Sequence, residues 1–387
     1  MTKVYLVRHA EAEGNIYRRF HGWYNSLITD NGYRQIAALA KRFEGERIDA
    51  VYSSNLFRTM TTAGAVYKSR GLELNTDPGL REIGGGVWED KPWGQLRYDD
   101  RSSLESFNVG DLSWQVEGSE TYGELQNRVC GTILKLAAAH EGQTIALFSH
   151  GTAIRSAIAR FSGLPAEEID KVPHGDNTCV ACLNIENGQV EIVYYNDNSH
   201  LGELSTLAKQ SWWKKKGSAN YGEMNLWFRP MDFSVESDLY CEMRREAWKT
   251  VHGTLNGFDE KGFLLEAKAQ SREEPHSIVV AMQEDKPAGL LQVNLHRDAE
   301  QGVGDVPFYY LTPEARHRGL GVQLLGEAIS IFRPLGRDKI RLRCARNNEV
   351  AQHFYRKFGF VTVGEEQGAY GPLDVLEKYI GYEDRYE

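Results

Sequence analysis

Four side chains in the first 150 residues have the types and places needed to move a phosphoryl group. Arg8 and His9 directly follow the apolar run Val4–Val7. His150 stands in the same relation to Thr144–Ser149 and is followed by Gly151, and Arg58 lies a few residues beyond Ala50–Ser53. Each run reads as a strand, and in an open parallel sheet reactive groups collect beyond the carboxyl ends of the strands. Two histidines and two arginines are therefore expected at one sheet edge. A guanidinium grips phosphate through two parallel hydrogen bonds. A neutral imidazole is a competent nucleophile toward phosphorus, and neighbouring cations depress its pKa and keep it neutral. A lone strand-end histidine is more often structural, but two in matching small-residue surroundings point to chemistry.

A second candidate lies at Leu311-Thr-Pro-Glu-Ala-Arg316-His317-Arg318-Gly319-Leu320-Gly321, between a strand-like run, Val306–Leu311, and an amphipathic helix. Glycine lets the backbone approach a ligand closely. The N–H groups that open a helix favour a pyrophosphate, and Arg316 and Arg318 add positive charge. The spacing lacks the third glycine of a dinucleotide fingerprint, and Gly326 is followed by Glu327 where a phosphate-binding P-loop has lysine. Cys179-Val-Ala-Cys182 has redox or zinc spacing, but it lies in a strand pattern without a second pair, which predicts two buried thiols. There is no H-E-x-x-H and no EF-hand loop, and arginines with a histidine can handle phosphate without a metal.

The elements that must position these residues alternate. Thr29–Phe43 reads as a helix with Ile36, Leu39, Ala40 and Phe43 on one face. Thr121-Tyr-Gly-Glu124 is a capping box opening a helix whose stripe is Leu125, Val129, Ile133 and Leu136. Helices are also expected from about Asn55 and near Thr152. Two strand-like runs, Thr178–Ile185 and Gln189–Asn196, flank Glu186-Asn-Gly188. This predicts an α/β fold, a three-layer α/β/α domain with a mostly parallel sheet. Residues 200–223 break the rhythm and include Trp212-Trp-Lys-Lys-Lys216, which reads as a solvated linker. From Met224 a new alternation starts. A strand at Asn225–Arg229 precedes a helix carrying Tyr240, Met243, Ala247 and Val251. A hairpin of His276–Gln283 with Ala288–Asn294 follows, then the glycine-rich segment, a strand at Ile340–Cys344, a short helix ending near Lys357 and a strand pair. The expected organisation is a domain at 1–203, a linker at 204–223 and a mixed α/β domain at 224–387.

Composition narrows the classes. The 387 residues are 41% hydrophobic and 26% charged, which is ordinary for a globular protein. No apolar run approaches the roughly 20 residues of a spanning helix. A net charge of −9 leaves no basic footprint for nucleic acid. Five scattered cysteines suggest no disulfide framework and fit a reducing, cytoplasmic compartment. No nucleic-acid or membrane partner is expected, and assembly into a homo-oligomer stays open.

The first half resembles the histidine phosphatase superfamily, also called phosphoglycerate-mutase-like. Val7-Arg-His-Ala-Glu-Ala-Glu-Gly-Asn15 is similar to its signature. Phe20-His-Gly-Trp23 and Leu27-Ile-Thr-Asp-Asn-Gly32 resemble the segment before its first helix, and Tyr52-Ser-Ser-Asn-Leu-Phe-Arg58-Thr-Met-Thr-Thr-Ala63 its second motif. Leu80-Arg-Glu-Ile83 with Gly86-Val-Trp-Glu89 resembles its acid loop, and Phe148-Ser-His150-Gly151 its last motif. The resemblance implies that His9 becomes phosphohistidine, that Arg8, Arg58 and His150 hold the equatorial oxygens, and that Glu82 protonates the leaving alcohol. It places Asn15, His21, Gly22 and Gly151 at the phosphate. Glu89 is a rival for the acid. Mutases of the family follow the acid with Arg-His-Tyr and the last histidine with Gly-Asn; here the residues are Ile83-Gly-Gly85 and Gly151-Thr152. A paired arginine that would clamp a second phosphate is not apparent. The expected reaction is hydrolysis of a small phosphate ester, with mutase-type transfer as the alternative.

The second half resembles the GNAT superfamily of N-acetyltransferases. Arg316–Gly321 is similar to its R-x-x-G-x-G motif, and Asn348-Glu-Val-Ala351-Gln-His-Phe-Tyr355-Arg-Lys-Phe-Gly359-Phe360 to its next motif. The resemblance implies that the backbone of Leu311 and of Arg316, His317, Arg318, Gly319, Leu320 and Gly321 binds acetyl-CoA, that Asn348 contacts it, and that Tyr355 protonates the departing thiolate. An amine, free or in a peptide, would be the acceptor. The expected protein is a bifunctional enzyme; a phosphatase governed by a non-catalytic acetyl-CoA-binding domain is the rival.

Overall fold

The computed structural model describes residues 1–164, 166–209, 224–368 and 370–382, which fall into two compact units: residues 1–91 with 99–209, and 224–382 with 92–98. The first unit holds β1 (Thr2–Arg8), β2 (Ala50–Ser53), β3 (Leu74–Thr76), β4 (Thr144–Ser149), β5 (Val180–Glu186) and β6 (Gln189–Asp197), in the order β3-β2-β4-β1-β5-β6. β1 alternates Val4 and Leu6 on one face with Tyr5 and Val7 on the other, and all four are buried. Burial on both faces is what helices on each side of a parallel sheet produce. On one side, the helices Asp30–Phe43 and Phe57–Arg70 pack Ile36, Leu39, Phe43, Ala63 and Val66 against Tyr5, Val7, Val51, Ala146 and Phe148. On the other lie Tyr122–Ala139, which opens with the expected Thr121–Glu124 capping box, and Gly151–Phe161.

β1, β2, β3 and β4 pair in parallel, while β5 and β6 form an antiparallel hairpin on the edge of β1. Its turn places Asn187 and Gly188 at φ 52° and 78°, the left-handed pair that an Asn-Gly hairpin requires. Cys179 and Cys182 are buried free thiols, and burial pushes Cys179 up to about 12. Residues 204–209, at the start of the expected linker, are packed onto the first unit. Leu204 O accepts from Asn31 and Gln35, and Ser205 and Thr206 are buried with polar partners of their own. The rest of that stretch, with Trp212–Lys216, lies outside the described residues.

The second unit contains β7 (Trp227–Pro230), β8 (Ile278–Gln283), β9 (Lys286–Asn294), β10 (Val303–Leu311), β11 (Lys339–Ala345), β12 (Val361–Gly368) and β13 (Gly371–Tyr379), in the order β12-β13-β11-β10-β9-β8-β7. β10 and β11 are parallel neighbours joined through the helix Gly321–Phe332, and the other pairs are antiparallel. The helix with Tyr240 and Met243 is Ser237–His252, packed with Glu260–Glu273 over β8 and β9. Glu260–Glu273 is not foreseen from the sequence because Ala267 is its single fully buried position. No helix among the described residues is long and apolar enough to cross a membrane.

Candidate active sites

The parallel register of β1 and β4 aligns Arg8 with Ser149, so the next residue of each strand, His9 and His150, meet beyond the sheet. The His9 N–H donates to Ser149 O at 3.0 Å, and the two rings are 5.3 Å apart. The His21 ring stands 5.7 Å from that of His9 on another side. His9 Nδ1 lies 2.7 Å from Ala10 O, a carbonyl that accepts a proton from Nδ1 and so leaves the lone pair of the neutral ring on Nε2. His150 Nε2 is 2.8 Å from Ser54 Oγ, and its Nδ1 is buried without a partner.

Arg58 is fully buried. Its Nη atoms donate to Tyr24 O, His21 O and Gly22 O at 2.7–2.9 Å, while its Nε is buried and unpaired. The guanidinium thus threads the loop 21–24 around the histidines. Arg8 Nη1 donates to Gly175 O, and its Nε is likewise buried and unpaired. A Cβ on Gly151 would stand 3.3 Å from that Nε, so glycine keeps the guanidinium in place. Burial first, and then the Arg58 charge, hold His9, His21 and His150 well below the ordinary imidazole pKa. Burial pushes Arg58 itself down to about 10.

The two candidate acids have different surroundings. Glu82 accepts from the N–H groups of Thr152 and Ala153 at 3.0 and 2.9 Å, at the start of the helix that follows His150. Glu89 accepts from Trp23, Tyr24 and Gly85 N–H, which occupies it in holding the 22–24 loop. Arg128 donates to the Glu82 carbonyl and pairs with Glu120, and Trp23 Nε1 donates to the same carbonyl at 2.8 Å. Trp23, Glu120, Glu124, Asn127 and Arg128 line an open depression of about 530 Å³ beside the acid loop. Gly22 is pressed so closely that a Cβ would lie 2.2 Å from Ile83 O. Asn15 Oδ1 accepts from Ala12 N–H at 3.0 Å, and its Nδ2 is 3.5 Å from His21 Nε2. The structure thus gathers Arg8, His9, Asn15, His21, Gly22, Arg58, Glu82, His150 and Gly151 at one sheet edge.

Three supporting residues escaped sequence reasoning. Ser54 orients His150. Asn177 Nδ2 donates to His9 O at 3.0 Å, and the buried Asp176 carboxylate accepts from the Asn177 N–H. The run His174-Gly-Asp-Asn177 before a strand is a turn signal, but only the fold brings it onto His9.

In the second unit, β10 and β11 pair only from Val303–Lys339 to Val306–Leu342. Beyond that, β10 runs to Leu311 against β9 alone and β11 to Ala345 against β13 alone, so the two parallel strands part. The chain then bends through His317 and Gly319, at φ 58° and 76°, into the helix at Gly321, which no side chain caps. Arg316 is turned inward, with Nε on Leu311 O and the Nη atoms on Glu246; Arg318 donates to Gln283. Leu320 is buried at the helix start. Tyr309 connects this turn to Tyr355. Its hydroxyl donates to Gly321 O, and its ring lies 5.8 Å from that of Tyr355. Burial raises the Tyr355 phenol and keeps it protonated. Asn348 Oδ1 accepts from Ala351 N–H as the N-cap of Glu349–Lys357, the helix that carries Tyr355, so its side-chain oxygen is engaged locally. Among the described residues no group of three or more His, Cys, Asp or Glu is placed to hold a metal ion.

Both halves of the chain match known family models. Residues 4–198 match the model of the histidine phosphatase superfamily (branch 1), and residues 238–360 that of the acetyltransferase (GNAT) family. The "Probable phosphoglycerate mutase GpmB" of Proteus mirabilis (strain HI4320) is 34% identical over 166 residues, 43% of this chain and 77% of the relative. The protein of that name from Yersinia pestis (strain Pestoides F) is 33% identical over the same shares. The solved structure of Bacillus stearothermophilus YhfR superposes with a TM-score of 0.50 at 28% identity, covering 52% of this chain and 99% of that one.

Proposed function

We propose, from the premise that the chain belongs to the histidine phosphatase superfamily through residues 4–198, that its first unit hydrolyses phosphomonoesters through a phosphohistidine at His9. His9 Nε2 attacks phosphorus, an N–P bond forms, and the ester P–O bond breaks. Arg8, Arg58 and His150 hold the three equatorial oxygens, where charge builds up. Glu82, beside the helix that begins after His150, gives the leaving alcohol its proton. Water then attacks phosphorus and gives a proton back to Glu82, the N–P bond breaks, phosphate leaves, and His9 and Glu82 are both restored. Asn15, His21, Gly22 and Gly151 shape the phosphate pocket.

One observation carries this reading. Arg8 Nε, Arg58 Nε and His150 Nδ1 are all buried and unpaired, and all three side chains converge on His9. An unmet buried donor costs about 1–3 kcal/mol, and a phosphoryl group offers these donors their acceptors. The names of the curated relatives favour a mutase. Hydrolysis is favoured by the depression beside Glu82, whose lining arginine, Arg128, is already paired with Glu120 while Glu124 adds a negative charge. A second phosphate would meet net repulsion there. The test is a panel of phosphate esters with wild type and His9→Ala. Acid-labile label on residue 9 during turnover, and loss of hydrolysis in the variant, are expected. Undiminished hydrolysis by His9→Ala, or faster mutase transfer than hydrolysis, overturns the reading.

For the second unit, the family match supports acetyl-CoA-dependent transfer to an amine. The residues fit such a donor. Strand edges that part after Val306 leave backbone groups for an amide-bearing chain, and an uncapped helix at Gly321 suits a pyrophosphate. Tyr355, held protonated, would donate to the departing thiolate. Acetylation of small amines that is lost in Tyr355→Phe, with acetyl-CoA still bound, is expected. Binding without any acetylation by wild type would instead make this unit a regulatory sensor.

A further inference from the structure

The segment Leu204–Leu207 lies where the chain leaves the first unit, and it grips both flanks of the nucleophile. On one flank the Thr206 hydroxyl donates to the Glu11 carboxylate at 2.8 Å and accepts from Gln35 Nε2 at 2.9 Å. Glu11 is two residues beyond His9, and its backbone N–H donates to Gln35 Oε1 at 2.8 Å. On the other flank the Ser205 hydroxyl donates to Asp176 Oδ2, and the Leu207 N–H reaches Oδ1 at 3.3 Å. The Asp176 carboxylate is fully buried and also accepts from Asn177 N–H and Asn198 Nδ2. Asn177 then donates to His9 O, as does the N–H of Thr178. Thr178 stands at φ 57°, a left-handed conformation that a β-branched residue adopts only when its surroundings impose it. The Thr178 hydroxyl is held 3.1 Å from His200 Nε2.

We infer that Ser205 and Thr206 form a strap that positions His9, acting through Asp176–Asn177–Thr178 on one side and through Glu11 on the other; this rests on the phosphohistidine reading of the site. Neither hydroxyl touches substrate. Both fix the backbone from which the imidazole projects, so in-line attack depends on residues at the start of the stretch leading to the second unit. A strained turn that the side chains of Ser205, Asn198 and His200 hold while Asn177 bonds His9 O is more support than a passive loop end requires.

The test uses the full-length protein with Ser205→Ala, Thr206→Val, the double variant and Ser205→Thr. In the double variant kcat on a small aryl phosphate should fall about tenfold, since small misplacements of a reacting group cost that much or more. KM should stay within about twofold, because the phosphate ligands are untouched, and Ser205→Thr, which keeps the hydroxyl on Asp176, should keep the wild-type kcat where Ser205→Ala loses part of it. Amide hydrogen exchange over Asp176–Thr178 should rise severalfold while Thr144–Ser149 stays protected. Wild-type kcat in the double variant, unchanged exchange at 176–178, or a uniform rise across the unit overturns the strap. An inactive wild type would refute the phosphatase reading alone, and the exchange measurement would still decide whether the strap holds the turn.

Discussion

Acidification should unfold the first unit sooner than its composition suggests. His9 and His150 are 2% and 0% exposed, and burial with the Arg58 charge holds both well below the ordinary imidazole pKa. Above pH 6.5 the rings are neutral whether the chain is folded or not, so they contribute nothing. Below it the unfolded chain takes up protons that the folded one refuses, and stability is lost as pH falls. Each such ring costs about 1.4 kcal/mol per pH unit once the unfolded ring is charged, or about 2 kcal/mol between pH 7 and 5. The pair removes about 4 kcal/mol, a large share of the 5–15 kcal/mol of a typical domain. His21, and His200 with its pKa lowered to about 4, act in the same sense. For a unit of this size the melting temperature should drop by about 8–16 °C. Thermal unfolding followed by circular dichroism from pH 7 to 5 reads this directly, and His150→Gln should halve the loss assigned to the pair. A flat profile, or equal pH dependence in the variant, refutes the reasoning. On the phosphohistidine reading, the same burial and Arg58 charge keep the His9 ring neutral for attack, so the acid limb of kcat/KM should lie below pH 6.5.

Two substitutions separate the loop residues. Gly22→Ala forces a Cβ to within 2.2 Å of a backbone oxygen, Ile83 O, and should destabilise the unit by about 1–3 kcal/mol while displacing the Gly22 carbonyl that Arg58 holds, as thermal melts and kcat/KM will show. Glu82→Gln should cost about 10²–10⁴-fold on alkyl phosphates and far less on aryl phosphates whose leaving group needs no proton. Glu89→Gln should instead lower the melting temperature without that leaving-group dependence, because Glu89 holds the backbone of 23, 24 and 85.

The strands that carry the candidate site were legible because their short apolar runs end abruptly at polar, charged or imidazole residues. Ala50–Ser53 and Thr144–Ser149 fall where the runs predict. The Thr121–Glu124 box and the Asn187-Gly188 turn are local codes, written in adjacent residues, and they hold. What escaped depends on distant segments meeting. Nothing near Asp176 in the sequence announces Ser205, and nothing near Glu82 announces the N–H groups of Thr152 and Ala153. Glu260–Glu273 escaped for a different reason. Its Phe263, Leu264 and Leu265 are consecutive, with Leu265 exposed, so no clean helical stripe shows. Asn348 illustrates a motif residue with a local use, since its cap bond is made within its own helix turn.

Arg58 poses the sharpest electrostatic question in the molecule. A fully buried guanidinium is ordinarily paired with a carboxylate. Here its hydrogen bonds go to three main-chain carbonyls, and Glu82 and Glu89 act on it only through space. Burial without a bonded counter-ion is why its pKa falls to about 10. An anion placed against its unpaired Nε would relieve part of that penalty, so occupancy of the phosphate pocket should be felt as fold stability. At a ligand concentration one hundred times its dissociation constant, binding to the folded state alone adds about 2.7 kcal/mol, or about 5–10 °C in the melting temperature of such a unit. Inorganic phosphate or vanadate titrated into thermal melts at pH 7.5 should give that rise. Arg58→Lys keeps a charge but cannot span the carbonyls of 21, 22 and 24 while presenting a further donor, so its melting temperature should start lower and respond less to the anion. An equal response in wild type and Arg58→Lys would mean that the guanidinium only holds the loop, and that the anion rests on Arg8 and the histidines alone.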